Sequence, residues 1–246
     1  MSSRRALVIG LGLIGGSIGK RLRARGWHVA YVDPHVDDPG DAADERGMIA
    51  DAVITIVATT VDVAIPLVRD TKGLVTSVCS VMAPLRAVGG ANFVAGHPLA
   101  GSAQRGLAAA DAHLFEGRSW FIDRDEPLVR EVAESCGAIV EVVDAGEHDR
   151  SVALTSHLPQ ILSTAFAAYL EDKPEALRFA GPGLQTFLRL AGSDAYVWAP
   201  VIESNRANIA PHAEALAELV REMIEGDPAD AFRRAQHVHA ELTAKR

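Results

Sequence analysis

The 246-residue chain has only two cysteines, Cys79 and Cys136, too few for a disulfide framework or a cysteine-based zinc pattern. A reducing, cytoplasmic setting is therefore expected. Positive charge is also scarce: 24 Lys and Arg against 32 Asp and Glu give a formal net charge of −8. That balance argues against broad binding to nucleic acid or to anionic membranes, both of which require a basic surface. No segment approaches the roughly 20 consecutive apolar residues that cross a bilayer. Internal repeats, low-complexity tracts and long linkers are absent too, so the parts of the chain are expected to share an interface. Arg4-Arg5 ahead of an apolar stretch resembles a signal peptide, but that stretch carries a glycine loop and lacks a cleavage site, so no targeting is expected. What is plentiful is apolar surface, 48% of the residues, which suits a globular protein of one or two domains.

The glycine loop is the first informative feature. Ala6-Leu7-Val8-Ile9 is an apolar run of strand type, Gly10-Leu11-Gly12-Leu13-Ile14-Gly15-Gly16 follows, and Ser17 to Arg25 reads as helix. Strand, glycine turn and helix stand in the order of a dinucleotide fingerprint. Gly10 allows the tight turn, Gly12 lets a pyrophosphate approach the backbone, and Gly15 lets helix and strand pack closely. The phosphates would sit on the helix N-terminus, where free N–H groups favour negative charge. His28 to Val32 reads as the second strand and ends on Asp33, placed to accept hydrogen bonds from an adenosine ribose. No Arg or Lys follows Asp33 closely, and a carboxylate there repels a 2′-phosphate, so NAD is expected rather than NADP. Ile14 and Thr59 complete the expected cofactor set.

Up to residue 147 short apolar runs at 52–58, 74–78, 93–95, 119–122 and 139–143 alternate with helical stretches. Such alternation marks a doubly wound, mostly parallel sheet of Rossmann type. From residue 148 to 246 strands disappear: Leu158, Ile161, Leu162, Ala165, Phe166 and Tyr169 recur at helical spacing, as do Leu216, Leu219, Val220, Met223 and Ile224. Asp227, Pro228 and Asp230 mark a further helix start. The expected class is α/β, with a nucleotide-binding domain at 1–147 and an all-helical domain at 148–246. The apolar helical stripes suit either an intramolecular core or a homodimer.

Residues 96–102 read Gly96-His97-Pro98-Leu99-Ala100-Gly101-Ser102. A histidine between glycine and proline at a predicted strand end is a candidate proton acceptor for a substrate that a nicotinamide oxidises. On the residues alone, a structural histidine capping a strand accounts for it equally well. Taken with the glycine loop, His148-Asp149-Arg150, Ser156-His157-Leu158-Pro159, Arg189-Leu190-Ala191-Gly192-Ser193-Asp194, Trp198, Ile202 and Asn205, the chain resembles the prephenate and arogenate dehydrogenase family over nearly its whole length.

The resemblance implies an NAD-dependent oxidative decarboxylation of a cyclohexadienyl acid, driven by aromatisation, with no metal, covalent nucleophile or second cofactor. It assigns His97 as the catalytic histidine and Ser80 as the serine assisting at the same hydroxyl. It gives Arg189 the substrate carboxylate, which a guanidinium can hold in two parallel bonds. Ser102, Gln160, Trp198 and His157 fall to the substrate pocket, with core packing for Trp198 and helix capping for His157 equally open. His148 and Asp149 are expected to be structural, orienting Arg150 or closing the cleft. Relatives often have a lysine where Met82 stands and a second histidine where Gln160 stands, and some have Asp in place of Thr186. An amide at 160 facing the substrate side chain, unable to become cationic, shifts the expectation toward arogenate, broad specificity or an amino-substituted analogue of specialised metabolism. With the chain ending soon after the helical region, any feedback by tyrosine is expected at the active site. Two other classes stay open: a β-hydroxyacid or imine-reductase type of dehydrogenase, and a non-catalytic NAD-binding protein. The first does not predict the His97 and Arg189 motifs, and the second would lose them.

Overall fold

The computed structural model describes residues 4–48, 51–101 and 104–244. Six strands form one parallel sheet: β1 (Arg5–Ile9), β2 (His28–Val32), β3 (Glu45–Arg46), β4 (Ile54–Val57), β5 (Val75–Ser77) and β6 (Phe93–Val94), in the order β3-β2-β1-β4-β5-β6. The central strands are apolar along their length because helices cover both faces. On one face lie α1 (Leu13–Ala24) and α4 (Pro127–Ser135), packed around Ile18, Leu22, Trp120, Val129 and Val132. On the other lie α2 (Val61–Asp70) and α3 (Ala83–Val88), packed around Val57, Val68, Met82 and Leu85. Each fully buried side chain of this size contributes about 1.5–3 kcal/mol.

Strands expected at 119–122 and 139–143 do form, but not in that sheet. They are β8 (Ser119–Ile122) and β9 (Ile139–Val142), which with β7 (Gly96–Pro98) make a second sheet, antiparallel between β7 and β8 and parallel between β8 and β9. The break falls at Ala95, whose N–H donates to Asp123 Oδ1 and whose carbonyl accepts from the Asp123 N–H, both at 3.0 Å. Those bonds turn the chain out of the first ladder and into the second. Gly96 permits the close passage, since a Cβ there would lie 2.8 Å from the Ser77 carbonyl oxygen.

Beyond β9 the described chain is helical, as expected. α5 (Ala145–Val152) starts where the Asp144 carboxylate accepts from the Glu147 N–H at 3.0 Å. A π-turn (Ala153–His157) leads into α6 (Leu158–Tyr169), with Pro159 in the first turn, where a missing N–H is tolerated. Then come α7 (Pro174–Leu177), α8 (Pro182–Phe187), a 3-10 turn (Leu188–Gly192), α9 (Ala195–Ser204), α10 (Arg206–Glu225) and α11 (Ala229–Ala244). Ala145, Val201 and Trp198 join the core formed by α2 and α3, which seats the helical part on that side of the sheet. Among the described residues no helix is long and apolar enough to cross a membrane.

Register positions the site. Ile9 pairs with Val32 and Val57, and Val57 pairs with Ser77, so β1, β2, β4 and β5 end level. Gly10, Asp33, Thr59 and Ser80 therefore follow their strands at one carboxyl edge, the edge where open parallel sheets bind ligands. The chain leaves β6 at the same edge and carries His97 past it.

Candidate active site

The glycine loop shows which of its members serve packing and which leave room. Gly10 has φ +93°, and a Cβ on it would lie 2.5 Å from the Ala58 carbonyl oxygen and 2.9 Å from Thr59 Cγ2. A Cβ on Gly15 would lie 1.9 Å from the Gly10 carbonyl oxygen, so α1 can approach the turn only with hydrogen there. Gly12 differs: nothing lies within 4 Å of its Cβ position. It is also the N-cap of α1, with no side-chain cap and no acidic residue in the first turn, so helix N–H groups face open space. Asp33 accepts from the Leu11 N–H at 2.7 Å and from the His35 N–H at 2.8 Å, tying the second strand to the loop. Ile14 packs against the core and Thr59 stands beside Gly10. An uncapped helix N-terminus over an open glycine, beside an acidic strand end, fits a dinucleotide pyrophosphate and ribose.

A cation stands near Asp33 after all, and the sequence hid it. Arg46 pairs in register with Tyr31, donates to the Asp33 carbonyl oxygen at 3.3 Å, and forms an ion pair with Asp37 at 2.9 Å. With Tyr31, Val32, Asp33, Pro34 and Gly47 it lines a cavity of about 200 Å³ at the end of β2. Thirteen residues of sequence separate Arg46 from Asp33, and only the short strand β3 brings them together.

At the other end of the site a chain of hydrogen bonds runs through buried groups. His97 Nδ1 lies 2.9 Å from His148 Nε2, and His148 Nδ1 lies 2.8 Å from Asp149 Oδ1. Asp149 also accepts from the Met82 and Ala83 N–H groups at 2.8 and 2.9 Å, holding the start of α3 and so the end of the loop that carries Ser80. Asn205 donates to the Asp149 carbonyl oxygen at 2.8 Å, and its Nδ2 lies 3.0 Å from His157 Nδ1. The His157 ring stands edge-on to Trp198, 5.9 Å between centroids, and its buried Nε2 has no hydrogen-bond partner among the described residues. In place of the expected structural roles, orienting Arg150 or closing the cleft, His148 is set against His97 and Asp149 against His148.

Burial sets the protonation of these rings. It depresses His97 from 6.5 to about 3, with smaller contributions from His148 and His157. Burial likewise lowers His157 to about 4, opposed by the charge of Asp149. Both rings are neutral in the fold near neutral pH. The unfolded chain protonates them from 6.5 downward, so it binds more protons and stability falls as the pH drops from there toward the folded values. Urea midpoints should be lower at about pH 5 than at about pH 7.5, and His157→Asn should flatten that difference. An unchanged slope in the variant would show that His157 contributes nothing to the acid loss.

Arg189 is exposed on the 3-10 turn and has no ion-pair partner among the described residues. Ser80 is partly buried on its loop, and Ser102 lies outside the described residues. The Gln160 amide is engaged within the protein. Nε2 donates to the Leu190 carbonyl oxygen at 2.8 Å and to Thr164 Oγ1 at 3.0 Å, and Oε1 accepts from Ser193 Oγ at 3.2 Å. Both N–H donors are engaged in holding the turn that carries Arg189. Arg105 reaches across from the loop after β7, forming an ion pair with Asp194 and donating to the Gly192 carbonyl oxygen at 3.0 Å.

A parallel sheet with a glycine loop, an edge that gathers Gly10, Asp33, Thr59 and Ser80, and a helical part contributing polar groups to one buried cluster define a two-part dinucleotide-binding protein. Comparison with known proteins is more specific. Residues 39–142 match the prephenate dehydrogenase nucleotide-binding domain, and residues 144–235 match the prephenate dehydrogenase dimerization domain. "Probable prephenate dehydrogenase NovF" of Streptomyces niveus is 33% identical, the alignment covering 90% of this chain and 68% of that protein. Prephenate dehydrogenase of Lactococcus lactis subsp. cremoris is 27% identical over 82% of this chain and 65% of its own length. The chain thus spans about two thirds of these relatives. In fold it superposes on the A. aeolicus prephenate dehydrogenase solved with hydroxyphenyl propionate and NAD+, with a TM-score of 0.82 and 23% identity over 100% and 99% of the two chains. Synechocystis arogenate dehydrogenase gives 0.78 at 23% identity over 98% and 100%. The chain belongs to the prephenate dehydrogenase family.

Proposed function

We propose that the protein is an NAD-dependent dehydrogenase that oxidatively decarboxylates a cyclohexadienyl acid, prephenate or arogenate, in tyrosine biosynthesis. The observation that carries this reading is a neutral His97, buried and hydrogen-bonded through Nδ1, in a chain whose relatives bear that name. The residues that would hold the dinucleotide are Gly10, Gly12, Ile14, Gly15, Asp33 and Thr59, with Arg46 beside the adenosine end. Bound NAD would supply a hydride acceptor for the ring carbon that bears the hydroxyl, and loss of the ring carboxylate as carbon dioxide leaves a phenol once the oxygen regains the proton held by His97. His97 accepts the hydroxyl proton and Ser80 assists at the same oxygen. Arg189, planar and without an ion-pair partner among the described residues, takes a substrate carboxylate in two parallel bonds. His157 and Trp198, packed edge to face, and Ser102 belong to the expected substrate set.

Both Gln160 amide donors are engaged within the protein, so any contact of Gln160 with the substrate side chain falls to Oε1, which also accepts from Ser193 Oγ. We place the nucleotide-binding domain at 1–147 and the helical substrate and dimerisation domain at 148–246. A homodimer through the helical part is supported by its match to the family's dimerization domain and by exposed Phe166, Tyr169, Phe179, Ile224 and Phe232. The acidic net charge and two buried cysteines suit a cytoplasmic enzyme without nucleic-acid partners.

The test is the initial rate of NADH formation with prephenate and arogenate side by side and NADP as control. Activity with either substrate supports the reading, and activity with neither, despite NAD binding, overturns it. Within the same assay Arg189→Ala should raise KM about tenfold or more and leave kcat within a few fold, because the bond is made in ground and transition states alike. A fall in kcat alone would assign Arg189 to the chemistry instead.

A further inference from the structure

We propose that His148 and Asp149 are positioning residues that fix His97 in the one tautomer able to act as a base, with the proton on Nδ1 and the lone pair on Nε2. The inference rests on the role of His97 proposed above. It follows from which atoms can donate.

Asp149 is almost fully buried and accepts from two backbone N–H groups, so its carboxylate is held as an acceptor. The ring nitrogen 2.8 Å away must then carry the proton: His148 is protonated at Nδ1. A neutral imidazole has one N–H, so His148 Nε2 presents a lone pair. His97 Nδ1, 2.9 Å from it, must donate. His97 Nε2 is thereby left with its lone pair, and it meets no hydrogen-bond partner among the described residues. With both rings as neutral imidazoles each link follows from the one before, and the series starts from a carboxylate whose position is set by the fold. The rings meet edge to face, 5.0 Å between centroids at 85°, so the His148 lone pair points at the edge of His97. When Nε2 takes the substrate proton, His97 becomes an imidazolium whose Nδ1–H is already directed toward the carboxylate through His148. The other titratable group set against His97 is His157, which lies on the π-turn and is neutral by the same burial.

The order of donors predicts what each substitution does. Asp149→Asn removes the charge and one of the two acceptor oxygens that the Met82, Ala83 and His148 donors share, so it loosens the hold on the His148 Nδ1 proton and with it the tautomer of His97. His148→Phe removes the acceptor and frees His97 to populate both tautomers. His148→Gln keeps an acceptor oxygen toward His97 and a donor toward Asp149.

The experiment pairs side-chain ¹⁵N–¹H spectra of the histidines in nucleotide-free protein with steady-state rates. Wild type should show His97 protonated at Nδ1 and His148 at Nδ1. Asp149→Asn should give a mixed His97 signal and lower kcat at least about tenfold with KM little changed. His148→Phe should give a mixed His97 signal and a comparable loss, and His148→Gln should restore both in part. Because Asp149 also anchors the start of α3, an unfolded Asp149→Asn leaves the decision to the two His148 variants. The proposal is overturned if His97 keeps the Nδ1 proton in His148→Phe, or if that variant keeps kcat within about threefold of wild type. Wild-type spectra as described in a protein with no rate on prephenate or arogenate uphold the hydrogen-bond chain and overturn the assigned reaction.

Discussion

Replacing His97 with alanine should lower kcat by about 10²–10⁴-fold with little change in KM, the range that one positioned general base contributes. The side chain takes a proton that leaves in the transition state and holds no substrate charge, so its loss falls on turnover. His97→Asn should do the same, since an amide can hydrogen-bond the hydroxyl but does not accept its proton at neutral pH. The pH profile makes the assignment sharper. A base works only when unprotonated, and burial holds His97 near 3 rather than 6.5 in the free protein. The acid limb of kcat/KM, which reports the free enzyme, should therefore lie well below 6.5. A limb at the ordinary histidine value would mean that His97 is solvated in the working protein. A kcat for His97→Ala within about tenfold of wild type would remove it from the chemistry.

Much of the nucleotide end was legible in the sequence because its determinants are local. Buried parallel strands read as unbroken apolar runs, and a turn that demands hydrogen at Gly10 and Gly15 writes itself as glycine. What was missed depends on contacts distant in sequence. Glu45–Arg46 is a strand of two exposed polar residues, with no periodicity to mark it, and only its pairing with β2 brings Arg46 beside Asp33. The division into two sheets hangs on one alanine and an aspartate 28 residues later. His148 stands 51 residues from His97, so their contact leaves no local pattern. Adjacent His148 and Asp149 were the available signal, since a buried imidazole beside a carboxylate has one proton-bearing nitrogen fixed. Gln160 shows the converse limit: helical spacing puts it on a face of α6, but α6 is covered on more than one side, and the amide turned to the 3-10 turn.

The glycine loop separates structure from binding in a way that two substitutions should expose. Gly15→Ala places a methyl 1.9 Å from the Gly10 carbonyl oxygen, a contact that backbone cannot relieve by rotating a side chain. Either α1 shifts away from β1 or the tight turn opens, and overpacking of this kind costs about 1–3 kcal/mol or more. The thermal midpoint should fall by roughly 5–10 °C, and NAD affinity should fall with it because the helix N-terminus is displaced. Gly12→Ala should behave differently. Its backbone, at φ −83°, suits any residue, and its Cβ meets nothing within 4 Å. The thermal midpoint should stay within about 2 °C of wild type. The methyl nevertheless occupies the space through which a pyrophosphate reaches the free N–H groups of α1, so the Kd for NAD measured by calorimetry should rise at least about tenfold. Wild-type NAD affinity in Gly12→Ala would show that the phosphates lie elsewhere. Equal loss of stability in both variants would show that Gly12, too, serves packing alone.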